Sequence, residues 1–463
     1  MWPIWTERPA FAAPGPYRRG VNATPKPPST RVFLGRRPLL LALGAAVTAG
    51  ALIAGAFVVA TGRNPERIGY FADWNVANRG YTVKELEESG AAEHLTRLMW
   101  AFGAISPEGL CHVPDTHDQP WELYQRRYDG DESVSGGSDE YEQELAGGLN
   151  QLRQLQERHP DLGASLSLGG WNWSTHFSVA ARTEESREAF VSSCVDLWLR
   201  GNLPVRDGEP QGGDGAAAGI FDGIDLDWEW PGGAGHPDNV EHPDDAANFT
   251  LLVAEFRRQF DALSAETGEE YTLSVSLSGA ARTSESYDAA IFGQVDFATV
   301  QGYDFAGPWS GETAHHSNLF VPDSQPDANS VDAAIRRYLD LGAPADKLVM
   351  GIPAFGRGWQ GVGPGGDGGR GGTPDGPADD HYDGPTMAFG DLEELEGRRY
   401  LDEEAGAYWV HDGDEWWTYD NPDVVALKGE YVLDRGLGGL MVWNLDMDPD
   451  GTLVRAMDES LGG

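Results

Sequence analysis

The chain has 463 residues, 74 of them acidic and 33 basic, for a net charge of -41, and only four of the basic residues are lysines (Lys26, Lys84, Lys347 and Lys428). A polyanion of this kind is a poor partner for nucleic acid or an anionic membrane surface, both of which attract Lys and Arg. The length exceeds that of an ordinary domain, but parallel α/β barrels with insertions pass roughly 400 residues, so one decorated barrel is sufficient. Residues 1–62 carry seven basic groups and one acidic group, which leaves -47 on the remainder. Self-repulsion of that size opposes a compact fold unless salt shortens the Debye length, to about 3 Å at 1 M. The chain reads as salt-adapted, as a halophile's protein would be.

In chain order, residues 1–38 form a basic, Pro- and Arg-rich region with no evident fold, ending in Arg36-Arg37-Pro38. Residues 39–60 are apolar and uncharged, long enough to cross a bilayer as a helix of about 20 residues. Twin arginines before an Ala- and Gly-rich apolar run resemble a twin-arginine export signal, which suits a protein that folds before crossing. The expected location is therefore secreted or cell-surface, with the apolar segment either cleaved or kept as an anchor. A linker covers 61–67.

Beyond it, short apolar runs at 68–74, 97–105, 164–170, 220–229, 271–279, 295–304, 347–355 and 437–444 alternate with helical patterns such as 143–158, 184–200, 246–266 and 330–342. Repeated βα units of this kind build a parallel sheet, and eight strands argue for closure into a (β/α)8 TIM barrel. Residues 68–360 would hold barrel strands 1–7, and 431–463 the last strand and a C-terminal helix. The interval 361–430 is far longer than a βα loop. It opens with the glycine-rich run Gly361–Gly372 and continues into strand-like pieces holding Tyr408, Trp409, Trp416, Trp417 and Tyr419, too aromatic for disorder.

The two cysteines, Cys111 and Cys194, could pair in an exported protein. Cys194 lies in an amphipathic helical pattern at 189–198, where a free thiol acts as a small core hydrophobe; two free thiols are the favoured reading. No zinc-ligand spacing is present, and no metal or cofactor is expected.

The run Asp222-Gly223-Ile224-Asp225-Leu226-Asp227-Trp228-Glu229 carries the chemistry. On a strand, alternate side chains share a face, so Asp225, Asp227 and Glu229 stack on one side while Ile224, Leu226 and Trp228 bury the other. Like charges so close cannot all ionise, and one carboxyl should keep its proton near neutral pH as a general acid. Asp222, at odd spacing, points elsewhere and reads as structural. Upstream stands Ala164-Ser165-Leu166-Ser167-Leu168-Gly169-Gly170-Trp171; downstream are Val300-Gln301-Gly302-Tyr303-Asp304-Phe305 and Gly438-Gly439-Leu440-Met441-Val442-Trp443-Asn444.

In this order, over about residues 68–460, these four motifs resemble those of family 18 glycoside hydrolases, the chitinase family. The octapeptide is similar to its D-x-x-D-x-D-x-E signature. The family usually has Met where this chain has Gln301, a pocket-lining position, which bears on substrate preference. The resemblance implies a small α+β insertion domain at 361–430 forming one wall of the cleft, and a retaining mechanism in which the substrate's own acetamido group is the nucleophile. It implies Glu229 as general acid, Asp227 as partner of the acetamido N–H, Asp225 sharing a proton with Asp227, and Tyr303 holding the acetamido oxygen. Asp304 would meet a neighbouring sugar and Trp443 would be the floor beneath the scissile one, with Tyr70 and Gln301 also lining the pocket. Of the tryptophans near strand ends, Trp171 and Trp309, then Trp74 and Trp359, are the expected sugar contacts; Trp173 and Trp230 share that setting. The expected substrate is chitin or its oligosaccharides, handled by a monomer. The rival readings are an endo-β-N-acetylglucosaminidase on glycans or peptidoglycan and a chitin-binding lectin, the latter opposed by the intact Glu229.

The charge yields a direct expectation. Screening reaches only beyond roughly 30 Å at 0.01 M salt but about 3 Å at 1 M, so the melting temperature of the purified protein should climb along a salt series between those limits. A flat or falling series would show that the acidic surface is no salt adaptation.

Overall fold

The computed structural model describes residues 64–115, 119–322, 328–363, 365, 367–379 and 385–463, together with the short strand Val32–Phe33. The twin arginines and the apolar segment 39–60 lie outside the described residues. No helix among the described residues is long and apolar enough to cross a membrane.

Eight parallel strands form the central sheet: Glu66–Ala72, Arg97–Ile105, Gly163–Gly169, Gly223–Asp227, Thr272–Leu277, Phe297–Val300, Leu348–Pro353 and Gly439–Trp443. Each pairs with the next in sequence, and the first pairs with both the second and the eighth, so the sheet closes. This is the expected (β/α)8 TIM barrel. Helices cover its outside because each carries an apolar stripe: in Gly147–Arg158, Leu149, Leu152 and Leu155 recur every third residue and are fully buried. Helix Val331–Leu341 starts on a Ser330 hydroxyl that accepts the Ala333 N–H and stops at Gly342, whose φ of 110° belongs to the left-handed region. Inside the barrel, Ile68, Tyr70, Met99, Ala101, Phe297, Val349 and Met441 make a separate apolar plug. Trp74, Phe102, Tyr303 and Trp443 pack against it.

After the seventh strand the chain leaves the barrel. Phe355–Gln360 pairs antiparallel with Trp416–Tyr419, which pairs with Ala407–His411, which in turn pairs with Arg398–Asp402. Thr386–Ala388 pairs with the other side of Phe355–Gln360, and helix Phe389–Glu394 follows it. Trp359, Tyr400, Trp409 and Trp416 form the core of this small α+β unit, with Tyr400 and Trp409 stacked at 5.0 Å. The unit starts at Phe355, before the glycine-rich run that marked 361 as a boundary. Helix Pro422–Arg435 packs on the C-terminal helix Thr452–Leu461 and so belongs to the barrel.

The cysteine reading is corrected. Cys111 and Cys194 form a disulfide, with Cα atoms 5.0 Å apart and a separation of 83 positions in sequence. The short strand Cys111–His112 folds back antiparallel on the end of the second barrel strand. There the Cys111 N–H donates to Ser193 Oγ, 2.9 Å, beside the buried Cys194 at the end of helix Glu184–Cys194. Local pattern identified the apolar helix face but not the strand that returns to it. By the loop-closure relation, a bridge spanning such a separation stabilises by about 4 kcal/mol. Reductant, or Cys111→Ser with Cys194→Ser, should lower the melting temperature measurably, and the unreduced unfolded protein should show no titratable thiol. Free thiols there, or an unchanged melt, would contradict the bridge.

Candidate active site

The site is built on the fourth barrel strand. Its neighbours place Ser167 and Ser274 in register on either side of Asp225. Both hydroxyls donate to Asp225, Ser167 to Oδ2 at 2.7 Å and Ser274 to Oδ1 at 2.7 Å, and the Tyr70 hydroxyl donates to Oδ2 at 3.0 Å. Burial pushes the Asp225 pKa up, and these three hydrogen bonds pull against it. This trio of hydroxyls surrounds the deeper of the two acids expected to share a proton. One residue pair higher, Asp227 is also buried, and its Oδ1 has no hydrogen-bond partner among the described residues. Burial, then the charges of Glu229 and Asp225, raise its pKa well above the usual carboxylate value.

The strand stops at Asp227 rather than at Glu229, because a side chain takes over from the ladder. The Ser174 hydroxyl lies 3.0 Å from the Asp227 carbonyl oxygen and accepts the Glu229 N–H at 3.0 Å. The Asp227 carbonyl can approach only because residue 169 is glycine: a Cβ there, where φ is 104°, would fall 2.6 Å from that oxygen. Asn239 Nδ2 donates to the Glu229 carbonyl at 2.7 Å and fixes the other side. The Glu229 side chain is partly exposed at the mouth of the barrel. Burial raises its pKa to about 8, against a hydrogen bond from Gln301 and helped by the charge of Asp304. At neutral pH it therefore carries a proton that it can donate.

Above the barrel's apolar plug lies an aromatic floor. Trp443 stacks on Phe102 at 5.6 Å, Phe102 stacks on Trp74 at 5.7 Å, and Tyr70 meets Trp443 edge-on at 5.2 Å. Trp443 is partly exposed, whereas Tyr70 is buried, its hydroxyl on Asp225. Tyr70 supports the floor and the acid instead of lining the pocket as expected. Phe102 was missed from sequence, although an aromatic at the end of the second barrel strand was there to be noticed.

Tyr303 packs on Phe355 at 5.8 Å. Burial, then the charges of Asp227 and Glu229, raise its pKa well above 10.0, so its hydroxyl stays a donor. Asp304, in a left-handed conformation with φ 59°, is gripped by Arg357, Nε to Oδ1 at 2.8 Å and Nη2 to Oδ2 at 3.0 Å. Burial works to raise the Asp304 pKa, but the Arg357 guanidinium outweighs it and holds the carboxyl well below the usual range. Arg357 belongs to the inserted unit, sits 5.5 Å from the ring of Trp309, and was not singled out from sequence.

Trp171 and Trp309 are about half exposed, at 47% and 51%. Trp171 also meets His236 edge-on at 5.8 Å. Trp359 is corrected: it is fully buried in the inserted unit, 5.4 Å from Trp416. Trp230 is buried as well. Asp222 pairs with Arg97, which also donates to Ser165 at 2.9 Å and Thr272 at 3.1 Å, away from the acids of the mouth. Among the described residues no group of three His, Cys, Asp or Glu is arranged to hold a metal ion.

The geometry is thus an open cleft with an aromatic floor, one neutral carboxyl at its lip, an unpaired carboxyl oxygen beneath and a tyrosine hydroxyl beside them. Comparison with known proteins agrees with it. The family model of glycosyl hydrolases family 18 matches residues 66–448. Chitinase C of Streptomyces lividans is 34% identical over 390 residues, 82% of this chain and 57% of that protein. Chitinase A1 of Niallia circulans is 31% identical over 428 residues, 85% of this chain and 58% of that protein. The chain thus spans somewhat under two thirds of these relatives' length. Among solved structures, the catalytic domain of psychrophilic chitinase B from Arthrobacter TAD20 is 38% identical with a TM-score of 0.81, covering 86% of this chain and 95% of that one. The matched range runs from the first barrel strand to beyond the eighth, and the chain belongs to glycosyl hydrolases family 18.

Proposed function

We propose that this protein is an exported, salt-adapted chitinase that hydrolyses β-1,4 bonds between N-acetylglucosamine units with retention of configuration. The observation that carries the reading is the neutral Glu229 at the lip of the cleft, directly above the unpaired Oδ1 of Asp227. A retaining glycosidase of the usual kind needs a second carboxylate as nucleophile, about 5 Å across the bond. Here Asp225 and Asp227 lie on the strand that leads into Glu229, and Asp304 has both oxygens on Arg357. Among the described residues, the carboxyls that interact with Glu229 thus lie below it or are already paired, which supports attack by the carbonyl oxygen of the substrate's own acetamido group.

In that mechanism Glu229 protonates the glycosidic oxygen as the acetamido oxygen closes on the anomeric carbon, giving an oxazolinium ring. Asp227 accepts the acetamido N–H on its bare oxygen and stabilises the positive charge. Tyr303 donates to the acetamido oxygen and holds it in line. Glu229, now ionised, takes a proton from the water that opens the ring. Trp443 carries the apolar face of the reacting sugar, and Trp171 and Trp309 receive rings further along.

The names of the similar Streptomyces and Niallia proteins favour chitin over other N-acetylglucosamine glycans. The intact, protonated Glu229 favours hydrolysis over binding alone. Export is supported by Arg36-Arg37 before the apolar run and by the Cys111–Cys194 bridge, since disulfides persist in oxidising compartments. Fractionation of the producing cells tests it: protein found only in the cytoplasm would refute export.

Glu229→Gln keeps the shape but cannot donate a proton, and should cost at least about 100-fold in kcat while chitin binding persists; more than a tenth of wild-type turnover would sink the assignment. Because Glu229 must be protonated, kcat/KM for chitooligosaccharides should fall as pH rises through about 8. An alkaline limb at pH 6 or lower would contradict a raised acid. Fully deacetylated chitosan and cellulose lack the nucleophile and should not be cleaved; comparable rates on cellulose would refute the acetamido mechanism.

A further inference from the structure

Both ends of the Glu229 main-chain unit are pinned, its N–H by Ser174 and its carbonyl by Asn239. The side chain beyond is partly exposed, and two groups act on it. Downward lies Asp227, whose buried Oδ1 has no partner and with which a protonated Glu229 could share its hydrogen. Outward lies Gln301, fixed just past the sixth barrel strand by its own N–H bond to the Leu277 carbonyl at 2.9 Å. Gln301 Nε2 stands 3.4 Å from Glu229 Oε1 and 3.4 Å from Ser276 Oγ. Among the described residues Gln301 is the side chain that donates to the Glu229 carboxyl. An amide donor on Oε1 makes that atom the acceptor, so the acid's hydrogen must sit on Oε2.

We propose that Gln301 is a positioning residue for the acid: its amide holds Oε1 of Glu229 at the cleft, away from Asp227, and so places the transferable proton on Oε2. The proposal rests on the reading of Glu229 as the general acid. Without the amide, the carboxyl has no donor to oppose the pull of the bare Asp227 oxygen.

The titratable and charged groups facing Glu229 make the consequence testable. On the strand that leads into it are Asp227 and, deeper, Asp225; from the segments beyond come Tyr287 and Tyr303, whose hydroxyls burial keeps neutral. Asp304 faces it from beside Gln301, paired with Arg357 and with His316 Nδ1 at 3.9 Å. Burial and the charge of Asp304 disfavour the Glu229 anion, while the Gln301 amide favours it. Removing the amide should let Glu229 keep its proton to higher pH.

The test compares wild type, Gln301→Met, which keeps the length without the donor, and Gln301→Glu, which keeps the shape and also loses it. All are assayed on a chitooligosaccharide across pH at one salt concentration, with a melt to show that each is folded. The alkaline limb of kcat/KM should move up by at least about half a unit in Gln301→Met and at least as far in Gln301→Glu. With it, kcat should fall by about tenfold and KM change less than about twofold. A limb within about 0.2 units of wild type in a folded variant of either kind, or a loss confined to KM, overturns the proposal. Glu229→Gln, run in parallel, separates the two claims: residual turnover there removes the general acid itself, whereas an unmoved limb beside a dead Glu229→Gln variant removes only the role of Gln301.

Discussion

Three carboxyl groups stacked along the end of one barrel strand and the turn that follows it are the constraint around which the rest is arranged. An isolated charge in such a place costs several kcal/mol. The three acids meet that cost in three ways, graded by depth. Asp225, the deepest, is satisfied by hydroxyls from the strands on either side and from Tyr70. Asp227 is left with one oxygen bare, and Glu229, at the lip, keeps its proton. The serines at positions 167 and 274 are as much part of this arrangement as the acids, since only a closed barrel with this register brings both to Asp225.

The second half of the cleft comes from a different part of the chain. The inserted unit has a core of its own, and its first strand delivers Arg357 to Asp304 and Trp309 at the edge of the barrel. This one side chain orders two others: it fixes an acid in its ionised form and braces an exposed indole. The segment after the sixth barrel strand is held in turn by the inserted unit, through the Ser317 hydroxyl on Asp420 at 2.6 Å and the Leu319 N–H on the Gly406 carbonyl at 3.2 Å. The wall of the cleft is therefore coupled to the barrel at several points.

Acidic residues serve opposite ends in the same molecule. The great excess of Asp and Glu is tolerated in water where salt screens it, and there the individual positions matter little. Where the barrel buries a carboxyl there is little screening, and at its mouth a single neighbour such as Gln301 bears on the balance of one proton. Net charge describes the first population and is silent about the second.

How much was legible follows from which contacts are local. Strand alternation in the run from Asp222 to Glu229 identified the acids and their order of depth, and the alternation of apolar runs identified eight strands, because both signals are carried by residues within a few positions of one another. The partners of those acids were not legible. Ser167, Ser274 and Tyr70 converge on Asp225 from three different strands, and Trp359 looked like a cleft residue until the pairing of Phe355–Gln360 with Trp416–Tyr419 buried it. Arg357 and Phe102 carried no motif of their own, and the disulfide joins segments 83 residues apart. The sequence by itself determined the barrel, the family's motifs and the chemical identity of the acids. Tertiary structure alone decided which of them is satisfied, which is bare and which keeps its proton, because hydrogen bonding and burial at a point inside a closed barrel are set by strands far apart in the chain.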